Sequence, residues 1–185
     1  ISDEEKGTFH EYFRYVSATS KANEMSLYNA YLSVLNPASA LIIEDEYHPD
    51  KLKLQASSIA KNILVEVRIG GNWTDKRIKS IFEKVFTSRG FTIARANNGR
   101  YILDVKLEIG EESKLSDNRL MIRYSLNSEL IDSVTGDSFL PFVINDKAVQ
   151  FNSEAVKNQI FKNVKAKVEK DFDALFTKYV EGSSD

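Results

Sequence analysis

The stretch Gly70-Gly71-Asn72-Trp73-Thr74-Asp75-Lys76-Arg77-Ile78-Lys79-Ser80-Ile81-Phe82-Glu83-Lys84-Val85-Phe86-Thr87-Ser88-Arg89-Gly90-Phe91 decides how this chain is read, because the hydrophobic period changes across it. Before it, Ile63, Val65, Val67 and Ile69 alternate with Leu64, Glu66 and Arg68, the pattern of a half-buried strand. Within it, Ile78, Ile81, Phe82, Val85 and Phe86 recur at helical spacing. The expected helix has Thr74 as N-cap, Asp75 in its positive first turn, and Gly90 as a left-handed C-cap.

Backbone amides at such a helix start attract anions, so the glycine pair raises the question of a phosphate site. A phosphate loop needs more widely spaced glycines followed by Lys-Ser or Lys-Thr, and a dinucleotide fingerprint needs three glycines at set offsets. Neither is present, so Gly70-Gly71 reads as a joint between strand and helix. Trp73, the single tryptophan, is placed to staple against Ile78 at the fourth helical position, or alternatively to anchor a partner as an exposed aromatic side chain.

Downstream, Phe91 and Ile93 begin a strand, Asn97-Asn98-Gly99 supplies turn chemistry, and Tyr101, Leu103, Val105, Leu107 and Ile109 form the expected return arm of a hairpin. Leu120 to Leu126 and Ser138 to Ile144 give two further strands, and Pro141, lacking an amide donor, directs the last to a sheet edge or a bulge. Asn152 or Ser153 caps a long helix with the stripe Val156, Ile160, Val164, Val168, Phe172, Leu175 and Tyr179.

Upstream, Tyr12-Phe13-Arg14-Tyr15-Val16-Ser17-Ala18 reads as a short aromatic strand, followed by an amphipathic helix through Met25, Tyr28, Leu32 and Leu35 that stops before Pro37. Leu41-Ile42-Ile43 reads as a strand and Pro49 to Lys61 as a helix with proline in its first turn. The expected organisation is an N-terminal strand-helix lobe with its connector, 1–50, and a main domain, 51–185. The fold class is α+β: a largely antiparallel sheet of about five strands with two helices on one face.

Composition narrows function. Twenty-five Lys plus Arg against 27 Asp plus Glu leave a net charge of -2, so no basic field recruits nucleic acid. The chain has no cysteine, which removes disulfides, thiolate nucleophiles and the usual zinc knuckles. No apolar run reaches the ~20 residues of a membrane span. Beginning at Ile1, the sequence reads as a trimmed or mature piece whose targeting segment, and any lipid anchor, lies outside it.

His10 and His48 are far apart without metal-type spacing, no serine sits in a nucleophile elbow, and the carboxylates Asp104, Glu108, Asp132 and Asp137 fall on outward strand phases or in turns. No catalytic residue, cofactor or metal is therefore expected. The candidate partner contacts are Trp73 and the aromatic run Tyr12, Phe13 and Tyr15, the latter as a docking strand or as lobe core.

Asp75 to Gly90 with Phe91-Thr92-Ile93, then Tyr101-Ile102-Leu103-Asp104-Val105, Leu126 to Ile131, Asp132-Ser133-Val134-Thr135-Gly136 and the terminal helix resemble a small α+β module of bacterial envelope lipoproteins. Flagellar assembly protein T, the curli secretion lipoprotein and the TolB amino-terminal domain are of this kind. The resemblance spans roughly residues 63 to 180 and departs from the pattern at Asn98-Gly99-Arg100, where Ala-Asp is usual. It implies a noncatalytic periplasmic or outer-membrane-attached accessory protein that binds envelope proteins or itself. Two rival readings are a small-molecule or lipid binder, with an apolar pocket under the last helix gated by Phe142, Phe151 and Phe161, and an enzyme using sheet-borne carboxylates.

Overall fold

The structure, a computed structural model, describes residues 7–39, 48–95 and 98–181. It divides into two compact units, one comprising the residues up to Ile63 together with those from Lys178 onward, the other Leu64–Thr177.

The first unit holds two helices, α1 (Phe9–Leu35) and α2 (Pro49–Asn62), which pack against each other. The strand expected over Tyr12 to Ala18 is helix instead. Thr8-Phe9-His10-Glu11 is the reason: Thr8 Oγ1 accepts the Glu11 N–H at 3.2 Å, and Glu11 Oε2 accepts the Gly7 N–H at 2.7 Å. This variant of the capping box satisfies the Glu11 N–H of the first turn and ties back the Gly7 N–H ahead of the cap, and helix propagation then carries the aromatic run along. α2 starts as expected, with Pro49 in its first turn and His48 Nδ1 accepting the Asp50 N–H. The Leu41-Ile42-Ile43 strand lies outside the described residues.

The second unit is a six-stranded sheet covered by helices. Its strands are β1 (Leu64–Gly70), β2 (Thr92–Ile93), β3 (Tyr101–Ile109), β4 (Ser113–Lys114), β5 (Leu120–Asp132) and β6 (Ser138–Gln150). The helices are α3 (Lys76–Thr87), α4 (Ser153–Lys167) and α5 (Asp173–Glu181), the last two joined by a π-helical turn, Val168–Phe172. The pairs β3 with β5, β4 with β5 and β5 with β6 are antiparallel, so the sheet is mostly antiparallel, as expected.

The Phe91–Ile109 hairpin is not formed. β2 and β3 both run parallel to β1, on opposite sides of it. A helix between β1 and β2 supplies the long crossover that parallel neighbours need. α3 turns back through a Schellman motif: Gly90 sits at φ 86, the Phe91 N–H donates to the Phe86 carbonyl, and the two rings meet edge to face at 6.4 Å. Of the turn residues proposed for the hairpin, Asn97 lies outside the described residues.

β6 lies at the edge and is also bulged, as Pro141 required. Between the pairs Ser128↔Phe142 and Leu130↔Phe139 it sets two residues, Leu140, at φ 55, and Pro141, against the single Glu129.

The core lies between the sheet face carrying Val65, Val67, Leu103, Val105, Leu126, Leu130 and Ile144 and the buried faces of α3 and α4. Phe82, Phe86, Phe172 and Phe176 are fully buried there, with Phe82–Phe172 at 5.1 Å and Phe86–Phe176 at 5.2 Å, both edge to face.

The buried stripe of the terminal helix is Val156, Ile160, Val164, Val168, Phe172 and Phe176, so Phe176 replaces the expected Leu175, and Tyr179 is exposed. A strict step of four overshoots an α-helical turn by ~40° each time, which accumulates to roughly 200° over five steps. The π turn holds more residues per turn, rotates the stripe back, and keeps Phe172 and Phe176 on the core side.

Candidate functional site

The Gly70–Asp75 joint was the first candidate for a ligand site, and the Asn72 side chain, the Trp73 backbone N–H and the Asp75 carboxylate in it are engaged by the chain. Gly71 sits at φ 105, and a Cβ there would drive into the Leu107 carbonyl, 2.7 Å from its carbon and 2.9 Å from the Leu107 nitrogen. Only glycine admits this close approach of the joint to β3. Asn72 then takes the place of a strand residue: its Nδ2 donates to the Ile109 carbonyl and its Oδ1 accepts the Ile109 N–H, both at 2.8 Å.

The start of α3 is occupied as well. Asp75, not Thr74, is the N-cap, accepting the Arg77 N–H at 2.8 Å. The Arg77 guanidinium closes on the same carboxylate, with Nη2 at 2.7 Å, and lies 4.3 Å over the Phe161 ring. That side-chain contact, together with the Arg77 N–H, holds Asp75 below the usual carboxylate range despite its burial. The protein's own carboxylate thus fills the place where an anion would bind. Trp73 is half-buried two residues ahead of the cap, and its backbone N–H donates to the Leu107 carbonyl. Ile78 is therefore the third helical residue, not the fourth, and the expected staple position falls on Lys79.

The carboxylates proposed for acid/base work are divided in the same way. Asp132 anchors the Asp132–Gly136 turn: its Oδ1 accepts the Val134 N–H at 2.8 Å and its Oδ2 accepts Arg100 Nη2 at 3.0 Å, while Gly136 takes φ 79. Burial pulls Asp132 upward, but the amide and the guanidinium outweigh it and leave its carboxyl below the ordinary 3.8. Glu66, assigned to the outward phase of β1, is buried, held by Arg68 Nε at 2.7 Å and Nη2 at 3.2 Å and overlain by Gly99. In the sheet register Glu66 pairs with Ile102 and Asp132 with Tyr101, so the two buried acids lie on opposite faces. They do not form a shared acid/base pair. Asp104 lies 3.7 Å from Lys106.

Between β5, β6 and α4, Tyr124 lies 3.4 Å from Asp146, and Asp146 is 3.2 Å from Lys167 Nζ. Burial pushes the Tyr124 phenol up to about 12. The Lys147 N–H, with Lys167, holds Asp146 below its usual value. These contacts fasten α4 to the sheet. Among the described residues no group of three or more His, Cys, Asp or Glu is placed to hold a metal ion.

The three phenylalanines suggested as a gate do not share a mouth. Phe142 is buried 5.4 Å from Phe172, Phe161 lies under Arg77, and Phe151 is exposed. Beneath the terminal helix Phe82, Phe86 and Phe142 pack against Phe172 and Phe176.

Tyr12, Phe13 and Tyr15 are half-buried on the first turns of α1. Phe13 borders a shallow hollow with Arg14, Ser17, Ala18 and Lys21. They sit in the first unit and Trp73 in the second.

A larger apolar surface takes in Tyr28 and Leu35 of the amphipathic stripe read in the sequence, of which Met25, Tyr28 and Leu35 are exposed and Leu32 is half-buried. On the last turns of α1, Leu27, Tyr28, Tyr31, Val34 and Leu35 are exposed, and Leu27, Ala30, Tyr31, Val34 and Leu35 line a hollow of 410 Å³. The half-buried residues of the same stretch are Ala22, Ser26, Asn29 and Leu32. Large apolar side chains therefore point to solvent and mostly small ones point inward, the reverse of ordinary amphipathic packing. The available signal was the absence of any charged residue from Met25 to Ile43.

No family model matches the chain, and no curated relative does. Among solved structures, a protein from Xanthomonas campestris is similar at 12% identity, over 65% of this chain and 87% of its own, with a TM-score of 0.43. A minor lipoprotein from Acinetobacter baumannii is similar at 15% identity, over 65% of this chain and 91% of its own, with a TM-score of 0.39. The rare lipoprotein B from Shewanella oneidensis is similar at 13% identity, over 63% and 95%, with a TM-score of 0.36. The last two are bacterial lipoproteins. No helix among the described residues is long and apolar enough to cross a membrane.

Proposed function

We propose that this chain is a noncatalytic protein-binding or assembly module of the bacterial envelope, periplasmic or attached to the outer membrane. The observation that carries the binding role is the solvent-facing apolar stripe Leu27, Tyr28, Tyr31, Val34 and Leu35 on α1. Contiguous apolar surface of this kind marks contact sites, and tyrosine is among the residues enriched at binding hot spots. The noncatalytic part is supported by the use of Asp75, Glu66, Asp132 and Asp146 as partners of the chain's own cations and amides. The envelope setting is supported by the resemblance of residues 63 to 180 to the lipoprotein module described above.

A photoreactive side chain at position 28 tests the reading in the full chain mixed with an envelope fraction. Protein adducts at position 28, absent when the same group is placed at exposed Lys53 on α2, are expected. Equal adduct yields at both positions contradict the assignment of α1 as the binding surface.

A further inference from the structure

We infer that the last turns of α1 form a twofold-symmetric interface with a second copy of this chain, the two helices running antiparallel and crossing at Tyr31. The inference rests on the reading of α1 as a protein-binding surface and names its occupant.

The residue spacing carries it. Relative to Tyr31, the exposed apolar residues stand at minus four and minus three, Leu27 and Tyr28, and at plus three and plus four, Val34 and Leu35. The pattern reads the same in both directions. In an isologous contact each residue meets its mirror position on the other copy. Leu27 then meets Leu35, Tyr28 meets Val34, and Tyr31 meets Tyr31 on the axis. At ~100° per residue these five positions cover an arc of about 120°, the width of one helix-packing face. The hollow bordered by Leu27, Ala30, Tyr31, Val34 and Leu35 receives side chains from the facing helix.

Area and charge agree with this occupant. Leu27 is 72% exposed, Tyr28 63%, Tyr31 69%, Val34 81% and Leu35 72%, with Met25 at 55% beside Tyr28. Taking ~200 Å² for a tyrosine and somewhat less for each aliphatic side chain, the patch offers on the order of 700 Å² per copy. A standard interface takes about 800 Å² from each partner. No charged residue occurs from Met25 to Leu35, so two copies meet without like-charge repulsion, and the face offers no charge to select an ionic partner.

The native chain has no cysteine, so single substitutions report the geometry directly. Helix axes 8–10 Å apart bring the two position-31 Cα atoms within disulfide reach at the crossing, whereas two position-27 residues lie about 12 Å apart along the helices. The experiment uses the full chain. Sedimentation velocity of the native protein at ~100 µM is expected to show a dimer, and Tyr31→Glu to weaken it at least tenfold, because two carboxylates would meet on the axis. On mild oxidation Tyr31→Cys is expected to give a covalent dimer, Leu27→Cys at least tenfold less, and an equal mixture of Leu27→Cys with Leu35→Cys a mixed dimer.

A native monomer at that concentration, or Leu27→Cys bonding to itself as readily as Tyr31→Cys, overturns the proposal. If a photoreactive group at position 31 of a monomeric chain captures a different envelope protein, the homodimer is wrong while the binding role stands. If the monomer gives no protein adduct and instead binds anionic vesicles in a Tyr31-dependent way, both fall.

Discussion

Asn72 stands in for a strand residue opposite Ile109, giving and receiving one hydrogen bond at 2.8 Å each. With the Trp73 backbone N–H on the Leu107 carbonyl, this side chain fastens the joint between β1 and α3 to β3. Asn72→Asp keeps the acceptor of the Ile109 N–H and loses the donor, setting one carboxylate oxygen against the Ile109 carbonyl oxygen. A loss of roughly 1–3 kcal/mol in urea denaturation is expected. A loss no larger than that of a typical exposed substitution, about 0.5 kcal/mol, contradicts the role assigned to it.

Gly71 and Gly136 both take positive φ, yet they should respond differently to alanine. Around Gly136 a Cβ meets nothing within 4 Å, so Gly136→Ala carries only the left-handed backbone strain, about 1–2 kcal/mol. At Gly71 the same strain is joined by collision with the Leu107 backbone, and a loss on the order of 3 kcal/mol or more is expected. Equal midpoints for the two variants would disprove the close approach.

Asp132 gives the second unit an acid-sensitive element. Its native carboxyl lies below the ordinary value, so its contribution is present above about 3.8 and is lost as the pH falls through the lowered native value. Asp132→Asn is expected to lower the denaturation midpoint at pH 7 relative to the native chain, and the gap between the two should narrow below pH 3.8. A gap that stays constant down to pH 2 would show that the carboxylate charge is not involved.

The π turn at Val168–Phe172 predicts the effect of shortening the helix there. Removing Lys170 makes Val168 and Phe172 three residues apart, and ordinary α-helical winding then still places Phe172 and Phe176 on the core side. The deletion should therefore cost less than Phe172→Ala, itself expected at about 3–5 kcal/mol. Thermal melts of the two variants compare them, and a deletion as costly as the alanine substitution contradicts the geometric role of the turn.

Where one physical signal dominated, the fold was legible in the sequence. Period-two alternation marked β1, β3, β5 and β6, the Ile78 to Phe86 spacing marked α3, and Pro141 marked a bulged edge. The errors lie where two signals competed. Aromatic β propensity at Tyr12 to Val16 gave way to the helix start set by Thr8 and Glu11. The hairpin reading of Phe91 to Ile109 assumed that neighbouring strands pair, whereas the α3 crossover put β2 parallel to β1 and left β1 between β2 and β3. Burial of Glu66 was illegible because it depends on Gly99 lying across it. The exposure of the α1 stripe was illegible because helical periodicity marks an apolar face without saying whether protein or solvent covers it.

In the proposed role the α1 stripe is a surface for association while the sheet unit is a packed scaffold. Tyr31→Glu tests it most directly when thermal unfolding and sedimentation are followed on the same sample. A sample that has lost association while its Tm, read at a concentration where both forms are monomeric, moves by less than ~2 °C is the result predicted. A Tm lowered by more than ~5 °C under those conditions, or association unchanged, would contradict it.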